Sequence, residues 1–88
     1  MNLYRSYNAG VEVRWSQSSR KHRIGRAQAR HVMQTVQPTA TTTASGNDAL
    51  IWIGPDDRGV ELEIVAVILP ELYLVIHVMP TALRRSQP

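Results

Sequence analysis

The chain has 88 residues, with 10 Lys and Arg against 7 Asp and Glu, for a net charge of +3. This length predicts a single domain, and the lack of cysteine excludes disulfides, thiolate metal ligands and a cysteine nucleophile. No apolar run approaches the roughly 18 residues of a membrane span, and the first residues lack a signal-peptide core. We therefore expect a cytoplasmic protein without a membrane partner.

Charge is distributed unevenly along the chain. Residues 1–31 hold seven of the ten basic residues and one acid, Glu12, a net charge of +6. Residues 32–88 hold three arginines against six acids, a net charge of −3. A basic front joined to an acidic, apolar remainder predicts an element that faces the phosphates of nucleic acid or another polyanion. This split alone does not separate an enzyme from a binding protein.

The first half of the chain predicts an N-terminal arm, a strand and a helix. Residues 1–10 show no clear period, whereas residues 11–15 alternate apolar and polar as in a half-buried strand. A polar connection precedes a helix that begins after Gly25 and ends before Pro38. Its apolar face is predicted at i, i+3, i+4 and i+7, by Ala29, Val32, Met33 and Val36. Arg23, Arg26 and Arg30 share this spacing on another face.

The second half predicts a β-meander. The Thr-rich residues 38–48 are either an edge strand followed by a loop or a loop throughout. Strands are predicted at 49–53, 60–69 and 72–79, with a tight hairpin over 54–59 and one helical turn at 81–85. The last two strands are apolar on both faces, so the helix should cover one face and a partner, the arm or a second copy the other. The prediction is one α+β domain over residues 11–85, with a tail at 86–88. It has a small antiparallel sheet of three to five strands and one main helix on one face.

Three segments carry a family resemblance. They are Val13-Arg-Trp15, which ends the first strand; Lys21-His22-Arg-Ile-Gly25, which leads into the helix; and the meander of Leu50–Gly54, Val60–Ile64 and a last strand ending in Arg84. Together they resemble the RelE/ParE-like toxins of type II toxin–antitoxin systems, nearest to the BrnT-like branch. The chain departs from that branch in a shorter segment before Lys21, a basic helix, and a last strand with His77 where many relatives have Ser or Thr followed by Ala-Arg.

The resemblance implies a RelE-like fold and an RNA-cleaving toxin, an mRNA interferase, that a cognate antitoxin neutralises. Its partners would be the antitoxin and RNA, including ribosome-bound mRNA, with a homodimer or a heterotetramer with the antitoxin as the assembly. No cofactor is expected, and the three histidines lack the spacing of a metal motif. The alternative is a non-catalytic nucleic-acid-binding or protein-interaction module of the same fold.

Metal-independent RNA cleavage needs a base, an acid and cations that stabilise the phosphorane. His22, beside Lys21 in the most basic stretch, is the candidate base; the alternative is a solvated loop histidine. If Leu72 and its alternate neighbours pack on the helix, Tyr73 and His77 share the open sheet face, where RelE-like toxins bind RNA. His77 could instead be a buried or interface histidine.

The candidate phosphate ligands are all arginines, since a guanidinium can hold a phosphate with two hydrogen bonds. They are Arg20, Arg23, Arg26, Arg30 and Arg84. The alternative is an ordinary solvated helix face. The absence of any acid between residues 13 and 47 counts against that alternative, because surface helices usually mix charges of both signs.

Overall fold

The computed structural model describes residues 11–85, except for the side chains of Arg84 and Arg85, so the predicted arm and tail lie outside the described residues. The elements are β1 (Glu12–Trp15), a 3-10 turn (Gln17–Arg20), α1 (Arg26–Thr35), β2 (Thr39–Thr42), β3 (Asp48–Pro55), β4 (Glu61–Ile68), β5 (Leu72–Pro80) and α2 (Thr81–Arg85). Within this part of the chain, neither helix has the length and apolar character that crossing a membrane requires.

The five strands form one sheet in the order β1-β5-β4-β3-β2. Strands β2 to β5 make an antiparallel meander, while β1 pairs with β5 in parallel. The predicted α+β fold with one main helix is confirmed, and the sheet is mixed because of its β1 edge. That edge places the residues after β1 beside the middle of β5.

Helix α1 packs its apolar stripe on one face of the sheet. Ala29 and Val32 are fully buried and Met33 is 3% exposed, as the spacing predicts. They meet the alternating inward residues of β3 and β4, including Leu50 and Ile64. Burying a Val, Leu, Ile or Met side chain contributes roughly 1.5–3 kcal/mol, so this layer stabilises the small domain.

The Thr-rich segment forms the edge strand β2 followed by a turn, which is the first of the two predicted alternatives. All four of its residues are exposed, and β2 is the edge strand of the sheet, paired with β3. Gly46, with φ of 87°, occupies the left-handed region in the turn that joins β2 to β3.

The hairpin between β3 and β4 is organised by a buried carboxylate. Asp56 Oδ1 accepts hydrogen bonds from the backbone N–H groups of Arg58 (2.8 Å) and Val60 (3.0 Å). Its Oδ2 accepts from the Arg58 guanidinium at 2.6 Å. Burial alone would raise the pKa of Asp56, but these hydrogen bonds, that of the Arg58 side chain foremost, outweigh it and hold the pKa below its usual range.

A β-bulge in β5 reassigns the faces of the last strand. Val65 pairs with His77 but the next residue of β4 pairs with Val75, so Ile76 is the extra residue. Tyr73 and Val75 therefore face α1 and join the core, whereas His77 faces the opposite side. The expectation that Tyr73 and His77 share the open face is wrong, because strict alternation does not survive the bulge.

Candidate functional site

The two histidines that were predicted to be catalytic lie next to each other in the fold. The rings of His22 and His77 lie edge to face, with centroids 6.5 Å apart and planes at 82°. Both side chains are partly exposed. His22 follows the 3-10 turn and His77 lies just after the bulge, so the pair joins distant segments of the chain.

The serine-rich connection after β1 brings His22 to this place. The backbone N–H of Ser16 donates to the carbonyl of Val75 at 2.9 Å, and Ser18 Oγ donates to the carbonyl of Ile76 at 2.8 Å. A bulge disrupts the regular ladder and leaves its extra residue unpaired. Here a serine hydroxyl bonds that residue, and the 3-10 turn is thereby attached to the bulge.

Hydrogen bonds within the same connection also stabilise it. Ser16 Oγ caps the turn by accepting from the N–H of Ser19 at 3.3 Å, and Ser19 Oγ donates to the carbonyl of Ser16 at 2.6 Å. Beyond His22, Arg23 has φ of 58°, a left-handed conformation that costs a residue other than glycine roughly 1–3 kcal/mol. The segment that holds His22 is thus anchored at one end and strained at the other.

A buried carboxylate backs His77. Glu63 Oε2 lies 2.9 Å from His77 Nε2, and the exposed fractions of the two side chains are 2% and 32%. A carboxylate can only accept, so Nε2 carries the hydrogen of this bond. In the neutral ring Nδ1 is then left as the acceptor. Glu63 therefore fixes the orientation of His77 and can stabilise a positive charge on it.

Sequence reasoning missed Glu63. Val60, Leu62 and Ile64 alternate with Glu61 and Glu63, a pattern that predicts an outward-facing Glu63 and says nothing of a partner for it. The sequence holds part of the information needed to find this contact. In an antiparallel pair, a residue also contacts its diagonal neighbours. Glu63 opposes Met79, two residues beyond His77, so His77 is such a neighbour. Using that signal requires the register, which the bulge shifts.

The other two predicted catalytic residues, Tyr73 and Lys21, lie in different environments. Tyr73 is 5% exposed, lies in the core and has its ring 6.5 Å from that of Trp52. It cannot stack on a base or deliver a proton at the open face from this position. Lys21 is exposed and adjacent to His22 in the chain, which leaves it available to a bound anion.

The predicted phosphate ligands fall into two groups. Arg20 and Arg23 are exposed on either side of Lys21 and His22. Arg26 and Arg30 lie over the ring of Trp15, with guanidinium carbons 5.8 and 5.6 Å from its centroid. This cation–π contact joins α1 to β1. The side chain of the fifth candidate, Arg84, lies outside the described residues.

A groove of about 510 Å³ opens beside His77 on the sheet face away from α1. Its floor is aliphatic, formed by Ile51, Val65 and Ile76. His77 and Glu63 lie at one end, and residues 41–43 of β2 and the following turn at the other. No group of three or more His, Asp or Glu side chains among residues 11–85 is placed to hold a metal ion.

No protein-family model, curated protein or solved structure matches the chain. The resemblance to RelE/ParE-like toxins therefore depends on the three quoted segments alone and stays a prediction.

Proposed function

We propose that this protein is a small endoribonuclease that cleaves RNA by metal-independent acid–base chemistry, as the toxin of a type II toxin–antitoxin pair. The observation that carries the proposal is the contact of His22 with a second histidine, His77, that is itself hydrogen-bonded to the buried Glu63. Two imidazoles in contact can supply the base and the acid of one phosphoryl transfer.

In this mechanism His22 acts as the base and His77 as the acid. His22 takes the proton of a ribose 2′-hydroxyl while that oxygen attacks the adjacent phosphorus. The bond from phosphorus to the 5′-oxygen breaks, and protonated His77 gives its proton to that oxygen. The products are a 2′,3′-cyclic phosphate and a free 5′-hydroxyl. Rings 6.5 Å apart can both reach oxygens of one phosphodiester.

The charges around the pair suit an anionic substrate. Arg20, Lys21 and Arg23 are all exposed next to His22 in the chain. Cations aimed at a phosphate that gains negative charge stabilise the transition state more than the ground state. Glu63 holds the His77 ring by its Nε2, at 2.9 Å from the carboxylate oxygen.

The toxin role and its partners come from the sequence resemblance. The cognate antitoxin would cover the basic segment and the histidine pair, and the substrate would be mRNA, free or bound to the ribosome. A second candidate function is a non-catalytic binding module. The open sheet face favours it, since Ile53 on that face is 47% exposed and apolar surface of this kind suits a protein partner.

Cleavage of a synthetic RNA in the presence of a metal chelator tests the proposal. We expect 2′,3′-cyclic phosphate ends, and a loss of roughly 100- to 10,000-fold in rate for both His22→Ala and His77→Ala. His31→Ala, on α1 and outside the pair, is the matched control and should cleave normally. Intact RNA with folded protein, or equal rates in all three variants, would favour the binding module. Growth arrest on controlled expression, relieved by the neighbouring gene, tests the toxin role separately.

A further inference from the structure

The groove beside His77 differs chemically from the histidine pair. Among the residues whose side chains the structure describes, its lining contains no Lys or Arg, and its one carboxylate is that of Glu63. A phosphate placed there would meet a negative charge and an aliphatic floor, neither of which stabilises it. A neutral, flat group with polar edges fits this lining better.

The register gives the groove its direction. His77 opposes Val65 on β4, and Val65 opposes Ile51 on β3. On β2 the lining begins at Thr41, which opposes Ala49, two residues before Ile51 in β3. The groove thus crosses four neighbouring strands, which at roughly 4.8 Å per strand spacing spans about 14 Å. The groove therefore leads from the acid of the proposed reaction across the sheet to its β2 edge.

A hydroxyl group is available at the β2 end of the groove. Thr41 is exposed and lines the groove, and its hydroxyl makes no hydrogen bond within residues 11–85. Thr43, which also lines it, accepts from the N–H of Asn47 at 3.1 Å and can still donate. A threonine hydroxyl donates or accepts, so it can pair with the polar edge of a base.

We infer that this groove is a nucleobase subsite. The base next to the scissile phosphate lies on the floor of Ile51, Val65 and Ile76, and the hydroxyl of Thr41 reads its edge. This inference rests on the proposed function, because it assigns the substrate's phosphate to the histidine pair. It makes Thr41 a specificity-determining residue that takes no part in proton transfer.

The four nucleoside 3′-monophosphates are the probes, with ribose 5-phosphate as the control that lacks a base. Binding is followed by NMR through the methyl groups of Ile51, Val65 and Ile76. We expect the nucleotides, unlike ribose 5-phosphate, to shift these methyl signals. Shifts confined to the basic segment 20–23, or equal shifts from ribose 5-phosphate, would overturn the subsite.

Thr41→Val tests the reading of the base edge. Thr39→Val is the matched control, since Thr39 is exposed on the same face of β2 but does not line the groove. Loss of one neutral hydrogen bond should change the ratio of dissociation constants among the four nucleotides by about 3- to 10-fold. We expect this change in Thr41→Val and not in Thr39→Val. Unchanged preference in Thr41→Val would overturn the assignment.

Cleavage of dinucleotides separates this inference from the proposed function. Methyl shifts without any cleavage would support the base subsite and contradict the proposed ribonuclease function. Cleavage without methyl shifts would support the ribonuclease function and contradict the inferred base subsite.

Discussion

Nε2 of His77 lies 2.9 Å from Oε2 of Glu63, whose side chain is only 2% exposed. A carboxylate that is shielded from water interacts with its partner more strongly than an exposed one, because the local dielectric is lower. The contact fixes the ring by one nitrogen, and the ring of His22 lies edge to face with it at 6.5 Å between centroids. In the proposed reaction Glu63 is a positioning residue that acts through His77.

Glu63→Gln tests that role. The amide has nearly the same size but lacks the charge, so it loses a charge-assisted hydrogen bond worth roughly 1.5–3 kcal/mol. We expect kcat for RNA cleavage to fall by roughly 10- to 100-fold, with a smaller effect on KM, because Glu63 acts on the reaction through His77. Steady-state kinetics measure both constants.

Glu71→Gln is the control for this variant, since Glu71 is exposed in the turn before β5 and should leave both constants unchanged. If Glu63→Gln kept the parental kcat while remaining folded by circular dichroism, Glu63 would have only a structural role. A rise in KM alone would also contradict the positioning role.

Ser18→Ala tests the anchoring of the 3-10 turn. The variant loses the hydrogen bond from Ser18 Oγ to the carbonyl of Ile76 at 2.8 Å. We expect the free energy of unfolding to fall by about 1 kcal/mol, measured by urea denaturation. Cleavage should also slow, because His22 follows directly on the turn. The neighbouring Gln17→Ala, exposed and without such a bond, should change neither quantity.

Asp56→Asn tests the β3–β4 hairpin. Because the pKa of Asp56 is lowered in the folded state, its carboxylate stabilises the fold above its unfolded pKa of about 3.9, and this contribution is lost as pH falls through the folded pKa. The variant should therefore have a lower Tm than the parent protein at pH 7, and the difference should shrink below about pH 4. Thermal unfolding followed by circular dichroism across pH measures it.

The adjacent Asp57→Asn is the matched control, since Asp57 is exposed and lies in the same turn. Its effect on Tm should be small at every pH. A Tm difference for Asp56→Asn that persisted unchanged at low pH would mean that the amide disturbs the turn by its shape and not through the lost charge.

The sequence predicted the elements well because each has a strong local pattern. The 3.6-residue spacing of Ala29, Val32 and Met33 predicted the buried face of α1, and the apolar runs before and after residues 54–59 predicted β3 and β4. The face of Tyr73 was predicted wrongly, since the bulge at Ile76 leaves no trace in the alternation of apolar residues. That bulge also hid the partnership of Glu63 with His77.

Contacts between residues far apart in the sequence explain why the surroundings of the other site residues were not predicted. The basic spacing of Arg26 and Arg30 suggested phosphate ligands, and nothing local indicates that Trp15 lies beneath them. By contrast, His22 and His77 were both singled out, because histidines are the residues whose ordinary pKa suits proton transfer near neutral pH. Their meeting depends on the parallel pairing of β1 with β5, which the sequence alone did not reveal.

Replacing arginines one at a time distinguishes ring contacts from phosphate contacts. Arg26→Gln and Arg30→Gln each remove a cation from Trp15, so each should lower the free energy of unfolding by about 0.5–1 kcal/mol and alter Trp15 fluorescence. Arg20→Gln and Arg23→Gln should leave both unchanged, since neither guanidinium lies over an aromatic ring of residues 11–85. These two should instead weaken RNA binding.

Salt dependence identifies which arginines meet phosphates. Loss of one phosphate contact reduces the slope of log K against log salt by about 1, and we expect this for Arg20→Gln and Arg23→Gln in fluorescence anisotropy titrations with RNA. Arg26 and Arg30 are held on Trp15, so their variants should keep the parental slope. A reduced slope in Arg26→Gln would mean that its guanidinium leaves the ring to bind RNA, and that the basic face includes α1 as the sequence suggested.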